Sequence, residues 1–209
     1  MGKLQIERMV LGMLHTNSWF AINKETKEVI FFDPTGQAEK IYHKVEEMGL
    51  KPAAILLTHG HLDHIGAVDA VKKKYGISCY VSEEEKELLK NPQQNCSAIY
   101  GNGYTAGADF FLKDKQQLQL AGFAIEAIYT PGHTKGGICY YFKEEGVLFS
   151  GDTLFRESIG RTDLPTGSTS ALVRSVRDLL NNLPKETKVY PGHGDTTTLA
   201  HEKKYNPFI

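Results

Sequence analysis

The sequence predicts an α/β protein in which two β-sheets pack face to face and helices cover their outer sides. Three observations carry that prediction. Short apolar runs of strand length recur along the chain, and each half runs from strands into helices. Chemistry-bearing side chains also stand directly after the carboxyl ends of strands. The 209 residues suffice for one sizeable core. With no repeat, low-complexity segment or linker in view, residues 1–209 are expected to form one domain.

The elements follow in order. Leu4–Leu11 and Trp19–Asn23 read as strands joined by a turn near Gly12–Ser18, and Glu28–Asp33 is apolar enough to be buried on both faces. Pro34-Thr35-Gly36 breaks that strand. Helical spacing of Ile41, Val45 and Met48 predicts a helix over Gln37–Met48, ended by Gly49. Ala53–Leu57 is a short buried strand, Ile65–Tyr75 a helix ending at Gly76, and Ile77–Val81 a strand. Ser82 caps a helix running to Leu89, with Glu85 at the capping-box position. Asn91–Asp109 is rich in Asn, Gln, Gly and Tyr without a period, and reads as a loop long enough to form a lid or a substrate wall. Strands are expected at Phe110–Leu112, Gln117–Leu120, Phe123–Tyr129, Gly137–Phe142, Val147–Ser150 and Lys188–Tyr190. Ser168–Leu183 has an amphipathic helical pattern, and Thr196–Tyr205 a short one.

Composition narrows the function. Hydrophobic content of 41% and charged content of 23% are ordinary for a globular protein. A net charge of −1 gives no bulk attraction to nucleic acid or to an anionic membrane, and Lys72-Lys73-Lys74 reads as a solvated helix face. Met1–Glu7 lacks the apolar core of a signal peptide, Ile6 stands where a myristoylation signal needs Ser or Thr, and no apolar run approaches the ~20 residues that span a bilayer. Cys79, Cys96 and Cys139 are odd in number and far apart, so neither a disulfide framework nor a CxxC site is expected, and a reducing cytoplasm is the expected compartment.

The chemistry concentrates in Thr58-His59-Gly60-His61-Leu62-Asp63-His64, directly after an apolar run. Unpaired polar groups are costly to bury, so such a cluster is paired, hydrated or bound to metal. Three later sites each add one ligand after a strand, with Gly beside it: His133 in Thr130–Thr134, Asp152 in Ser150–Thr153 and His193 in Tyr190–Gly194. The candidate metal ligands are thus His59, His61, Asp63, His64, His133, Asp152 and His193; His15, His43 and His201 fall outside the set and read as surface or turn residues. Imidazole and carboxylate suit zinc, iron, manganese or cobalt. Seven ligands exceed one tetrahedral ion and suit two ions that share a bridging carboxylate and a water, whose pKa the pair would lower.

The HxHxDH string, followed in order by His133, Asp152 and His193, resembles the metallo-β-lactamase superfamily from about Leu4 to the final helix. The resemblance implies that superfamily's four-layer αββα sandwich of two mixed sheets. It implies one metal on His59, His61 and His133, a second on Asp63, His64 and His193, and Asp152 bridging them. Within the superfamily, Thr58–His64, Thr130–His133, Gly151–Phe155 and Pro191–His193 resemble the glyoxalase II-like hydroxyacylglutathione hydrolases. That resemblance implies thioester hydrolysis with two divalent ions, zinc first and iron or manganese as alternatives. A hydroxide between the ions would attack the carbonyl, with Asp63 and Asp152 orienting it and carrying its proton. The expected partner is a small-molecule thioester; the pattern carries no signal for oligomeric state.

Departures from the glyoxalase II pattern bear on the substrate. The longer enzymes carry a helical carboxy-terminal extension that contributes to glutathione binding, whereas this chain runs only to Ile209. Where the family binds the thiol's carboxylate with Lys and Tyr, this chain has Arg161 and Asp163; Arg161 can replace the Lys, and Asp163 would repel a carboxylate. Arg156, Arg161 and Asp163 read equally as a loop salt bridge or as substrate contacts. Gly160–Asp163 also resembles the persulfide dioxygenases, which implies as the alternative a single Fe(II) on His59, His133 and Asp152. Antibiotic hydrolysis ranks lower, because the cysteine-using β-lactamases carry Cys where this chain has Asp152, and a non-catalytic metal-binding scaffold ranks lower still. Asp33 reads as an acceptor orienting a ligand imidazole, or as a strand-end turn residue.

Overall fold

The structure, a computed structural model, describes residues 2–100 and 103–209. Six strands form the first sheet in sequence order: β1 (Leu4–Leu11), β2 (Thr16–Asn23), β3 (Glu28–Phe32), β4 (Lys51–Leu56), β5 (Ser78–Ser82) and β6 (Phe110–Leu112). The first three pair antiparallel; from β3 onward the pairing is parallel. The second sheet contains β7 (Gln116–Leu120), β8 (Phe123–Tyr129), β9 (Ile138–Phe142), β10 (Val147–Gly151), β13 (Lys188–Pro191) and β14 (Thr197–Thr198). It is ordered β14-β13-β10-β9-β8-β7, with one parallel pair, β10 and β13. β11 (Leu154–Phe155) and β12 (Ser158–Ile159) form a separate small hairpin.

Side chains alternate across a strand, so each sheet has two apolar faces to cover. Trp19, Ala21, Ile30, Phe32 and Leu56 of the first sheet meet Phe123, Ile125, Tyr140, Phe142 and Phe149 of the second. Phe32 stacks on Phe149 with ring centroids 3.9 Å apart. Their strand neighbours Phe20, Ile22, Phe31 and Ile55 face the opposite way, against Ile41 and Val45 of α1 (Ala38–Met48) and Val68 and Val71 of α3 (Val68–Tyr75). On the far side, Tyr141 and Leu148 pack on Leu172, Val176 and Leu179 of α6 (Thr169–Asn182). The result is the expected αββα sandwich of two mixed sheets.

Helix ends follow local chemistry. Gly49 and Gly76 close α1 and α3 in the left-handed conformation, and the Ser168 hydroxyl accepts from the Ala171 amide to open α6. Several expectations are corrected. The helix expected over Ile65–Tyr75 is two pieces, α2 (Leu62–Ile65) and α3, because the Ala67 amide donates to the Pro34 carbonyl at 2.9 Å rather than continuing the helix. β2 begins at Thr16 rather than Trp19, since Thr16, Asn17 and Ser18 are buried polar residues whose hydrogen bonds join the site. β4 starts before Pro52, which sits at a bulge where a missing N–H is tolerated. The helix expected from Ser82 is a 3-10 turn followed by α4 (Lys86–Lys90). The expected loop Asn91–Asp109 holds one short helix, α5 (Ser97–Tyr100); its residues 101 and 102 lie outside the described residues. The chain closes with α7 (Leu199–Tyr205), opened by the Thr198 hydroxyl. Among the described residues, no helix is long and apolar enough to cross a membrane.

Candidate metal centre

All seven expected ligands converge at one end of the sandwich, beyond the carboxyl ends of strands, where open α/β sheets place their ligand sites. His59 and His61 follow β4, and Asp63 and His64 ride on α2. His133 lies between β8 and β9, Asp152 directly after β10, and His193 after β13. Close approach of these loops requires small residues. A Cβ on Gly192 would stand 2.2 Å from Asp152 Oδ1 and 2.7 Å from His64 Cε1, so a side chain there would displace both ligands. β2 anchors the His193 loop: the Asn17 amide donates to the Gly192 carbonyl, its side-chain Nδ2 to Pro191 and Gly194, and Trp19 Nε1 to Pro191.

Ligand atoms of His59, His61 and His133 lie within 4.8 Å of one another, as do those of Asp63, His64 and His193, and those of His59, His64 and Asp152. Asp152 stands between the first two groups. Its Oδ1 is 3.3 Å from His64 Nε2, and its Oδ2 is 3.6 Å from His133 Nε2 and 3.5 Å from His193 Nε2. Asp63 Oδ2 accepts from the Thr16 hydroxyl at 2.9 Å and lies 3.2 Å from His193 Nε2.

The polar atoms behind the ligands set their tautomers. Asp33, at the end of β3, accepts three hydrogen bonds: from the Thr58 amide (2.8 Å), the Thr58 hydroxyl (2.7 Å) and His64 Nδ1 (2.9 Å). With its own proton committed to Asp33, the Thr58 hydroxyl accepts from His59 Nδ1 at 3.1 Å. His133 Nδ1 donates to the Arg161 carbonyl at 2.7 Å. In each case Nδ1 is committed to that partner, which leaves Nε2 as the atom offered to the cluster, as in metal-binding imidazoles. Asp33 thus occupies the supporting position the sequence suggested, on two ligands rather than one.

These residues fit metal ions. Among the described residues, His59 Nε2, His64 Nε2 and Asp152 Oδ1 are buried without a hydrogen-bond partner. His61 Nδ1 and His133 Nε2 converge to 2.9 Å, an approach that needs a proton or a cation between them. The charge states differ between the two groups. Burial, with the neighbouring imidazoles, pushes His59 well down and His61 down to about 3. Burial also opposes charge on His64, but Asp63, Asp152 and Asp33 outweigh it and hold that imidazole well above its ordinary value; His193 is raised against burial by Asp63 and Asp152. Asp152 is pulled down to about 2, because His64, His133 and His193 overcome its desolvation. A raised pKa means a proton must leave before metal enters. At neutral pH, metal uptake by metal-free protein is therefore expected to release protons from the Asp63–His64–His193 group, and any metal held there should be lost before metal held by His59, His61 and His133 as pH falls. Chelator competition at several pH values, with proton release followed on loading, checks this. Equal pH dependence of metal binding at the two groups, or loading without proton release, would contradict it.

Glu85 had no place in the site expected from the sequence. Its carboxylate makes no capping box; it is fully buried and accepts from the Gly60 amide through Oε2 and the Gly136 amide through Oε1, both at 2.8 Å. It thereby ties the His59–His61 segment to the loop after His133. Glu85→Gln turns one acceptor into a donor facing an N–H. The expected cost is about 1–3 kcal/mol in urea unfolding of metal-free protein, with weaker metal binding at His59, His61 and His133. Unchanged values for both would show the tie to be dispensable.

The other substrate candidates are also placed. Arg161 lines the cavity beside the cluster, and its guanidinium binds Asp163 bidentately, at 2.7 Å for both bonds; Asp163 is exposed on the rim loop. Arg156 is 4.0 Å from Glu157, which also accepts from His201 at 2.8 Å. His15 and His43 are exposed and belong to none of the ligand groups among the described residues.

Two sheets with helices outside and an imidazole–carboxylate cluster at their strand ends define a metal-binding αββα protein. Residues 11–193 match the Metallo-beta-lactamase superfamily; the chain belongs to that superfamily and is a metal-dependent hydrolase of it. It is 40% identical over 204 residues to the "Probable metallo-hydrolase YqgX" of Bacillus subtilis, covering 97% of this chain and 96% of that one. It is 37% identical over 191 residues to the "Hydroxyacylglutathione hydrolase GloC" of Haemophilus influenzae, covering 88% and 89%. Among solved structures it resembles the BLEG-1 B3 metallo-beta-lactamase, with TM-score 0.93, 40% identity, and coverage of 98% and 99%. It also resembles TTHA1623 in a di-iron-bound form, with TM-score 0.87, 34% identity, and coverage of 97% and 100%.

Proposed function

We propose that this protein hydrolyses small-molecule thioesters with two divalent metal ions, one held by His59, His61 and His133 and the other by Asp63, His64 and His193. The observation that carries the reading is Asp152, whose two carboxylate oxygens face ligands of both groups. Bound ions of this kind polarise a carbonyl and make water a competent nucleophile near neutral pH. The chain's own residues supply the rest. Asp63 and Asp152 are held ionised against burial by the neighbouring imidazoles, and so can accept the proton of an attacking water. Thr16 orients Asp63 through its hydroxyl, and Asp33 fixes His64 and, through Thr58, His59. Among the described residues the cysteines do not compete for the role: Cys79, Cys139 and Cys96, which lines the cavity, are all buried, and burial pushes each thiol up, Cys139 to about 11.

Zinc is the ion proposed for hydrolysis, with iron or manganese accepted by the same donors. The GloC relative's name supports the thioester reading. The BLEG-1 likeness favours a second one, β-lactam hydrolysis, since Asp152 argues only against the cysteine-using type. Three unpaired, buried thiols suit a reducing cytoplasm as the proposed compartment. Assaying one metal-loaded preparation against a thioester, a chromogenic cephalosporin, and a persulfide with oxygen monitoring separates the readings. Thioester cleavage abolished by chelation and restored by zinc is expected; turnover confined to the cephalosporin or the persulfide would overturn the proposal.

A further inference from the structure

The cavity that holds the metal ligands has two unlike sides. At its floor lie His61, Asp63, His133, Asp152 and His193. Its mouth is formed by Met13 and Leu14, in the turn between β1 and β2, and by Ile99 and Tyr100 of α5. Among the described residues eight large apolar side chains are exposed, and these four are half of them; Met13 is 77% and Ile99 66% exposed. Leu62 and Leu164 continue the apolar wall toward the floor. Apolar groups gathered at one mouth, rather than scattered, mark a surface that binds something apolar.

The volume, about 530 Å³, lies in the range of small-molecule sites. Its charge argues against an anionic thiol carrier. Apart from the imidazoles, the cation among the described lining residues is Arg161, which Asp163 already holds with two hydrogen bonds. A glutathione-type thiol brings two carboxylates and would find no free cation in this lining to pair with them.

Resting on the thioesterase reading, we propose that the cavity selects thioesters with an uncharged, apolar arm, seated between Met13–Leu14 on one lip and Ile99–Tyr100 on the other. The arm's desolvation supplies the binding that an anionic carrier would draw from basic residues. A fully buried methylene is worth roughly fourfold in binding.

The test uses the full chain loaded with zinc. It compares kcat/KM for acetyl, hexanoyl and octanoyl N-acetylcysteamine thioesters with that for S-lactoylglutathione. We expect a rise of at least about tenfold from acetyl to octanoyl. The double variant Met13→Ser, Ile99→Ser should cut the octanoyl-to-acetyl ratio to about threefold or less. A flat series, an unchanged ratio in the variant, or a preference for S-lactoylglutathione overturns the proposal. If no thioester is cleaved, the hydrolase reading fails separately, and calorimetric titration with octyl and ethyl thioethers of N-acetylcysteamine still decides the arm. Tighter octyl binding with a negative heat-capacity change supports it, and equal or absent binding overturns it. Light scattering provides the last check: self-association abolished by the double variant would assign the patch to a second copy of this chain and overturn the proposal.

Discussion

Asp152→Ala is expected to lower thioester turnover by more than about a hundredfold and to reduce the number of ions retained per chain. The carboxylate faces His64 through one oxygen and His133 and His193 through the other, so its loss removes the link between the two ligand groups. It also removes one of the charges that keep His64 protonated in the metal-free protein. Asp152→Asn keeps the volume but not the charge, and should recover little. Elemental analysis of each variant, with kcat and KM measured separately, checks the expectation. Full activity in Asp152→Ala would remove Asp152 from the reaction.

Asp33→Ala is expected to weaken metal binding by roughly ten- to a hundredfold without touching a ligand. Asp33 accepts all three of its hydrogen bonds at a buried position, so truncation frees His64 to rotate, releases the Thr58 hydroxyl that orients His59, and strands the buried Thr58 amide. The stranded amide alone costs about 1–3 kcal/mol of stability. Asp33 has a φ of +47°, a conformation that Asn also tolerates, so Asp33→Asn separates backbone from hydrogen bonding. If the carboxylate matters, Asn should fail almost as badly as Ala, because its amide group would face donors. Recovery of metal affinity in Asp33→Asn would show that Asp33 serves the turn and not the imidazoles.

The clustered candidate ligands were legible because each stands just after an apolar run, beside Gly or on the turn that follows, and that pattern is local. The strands of the inter-sheet core were legible for the same reason, as alternation or continuous apolarity over a few residues. Glu85 was not. Its spacing from Ser82 offered a complete local explanation, a capping box, whereas its true partners Gly60 and Gly136 lie 25 and 51 residues away. Thr16–Ser18 read as a turn because they are polar; in the fold they are buried, and their hydrogen bonds go to Asp63, Pro191 and Asp33. The split between α2 and α3 goes with the Ala67 amide bonding to the Pro34 carbonyl, a contact with no signature in helical period. Local period reveals elements and their ends, while hydrogen bonds between distant loops become visible only once the sheets have brought those loops together.

The two ligand groups are proposed to act together on a thioester. Titrating zinc into metal-free protein while following hydrolysis of one thioester tests this most directly. No turnover is expected without metal, and activity should reach its plateau only at about two ions per chain. Full activity in the metal-free protein, or a chain saturated by about one iron that consumes oxygen with a persulfide and leaves thioesters intact, would contradict it.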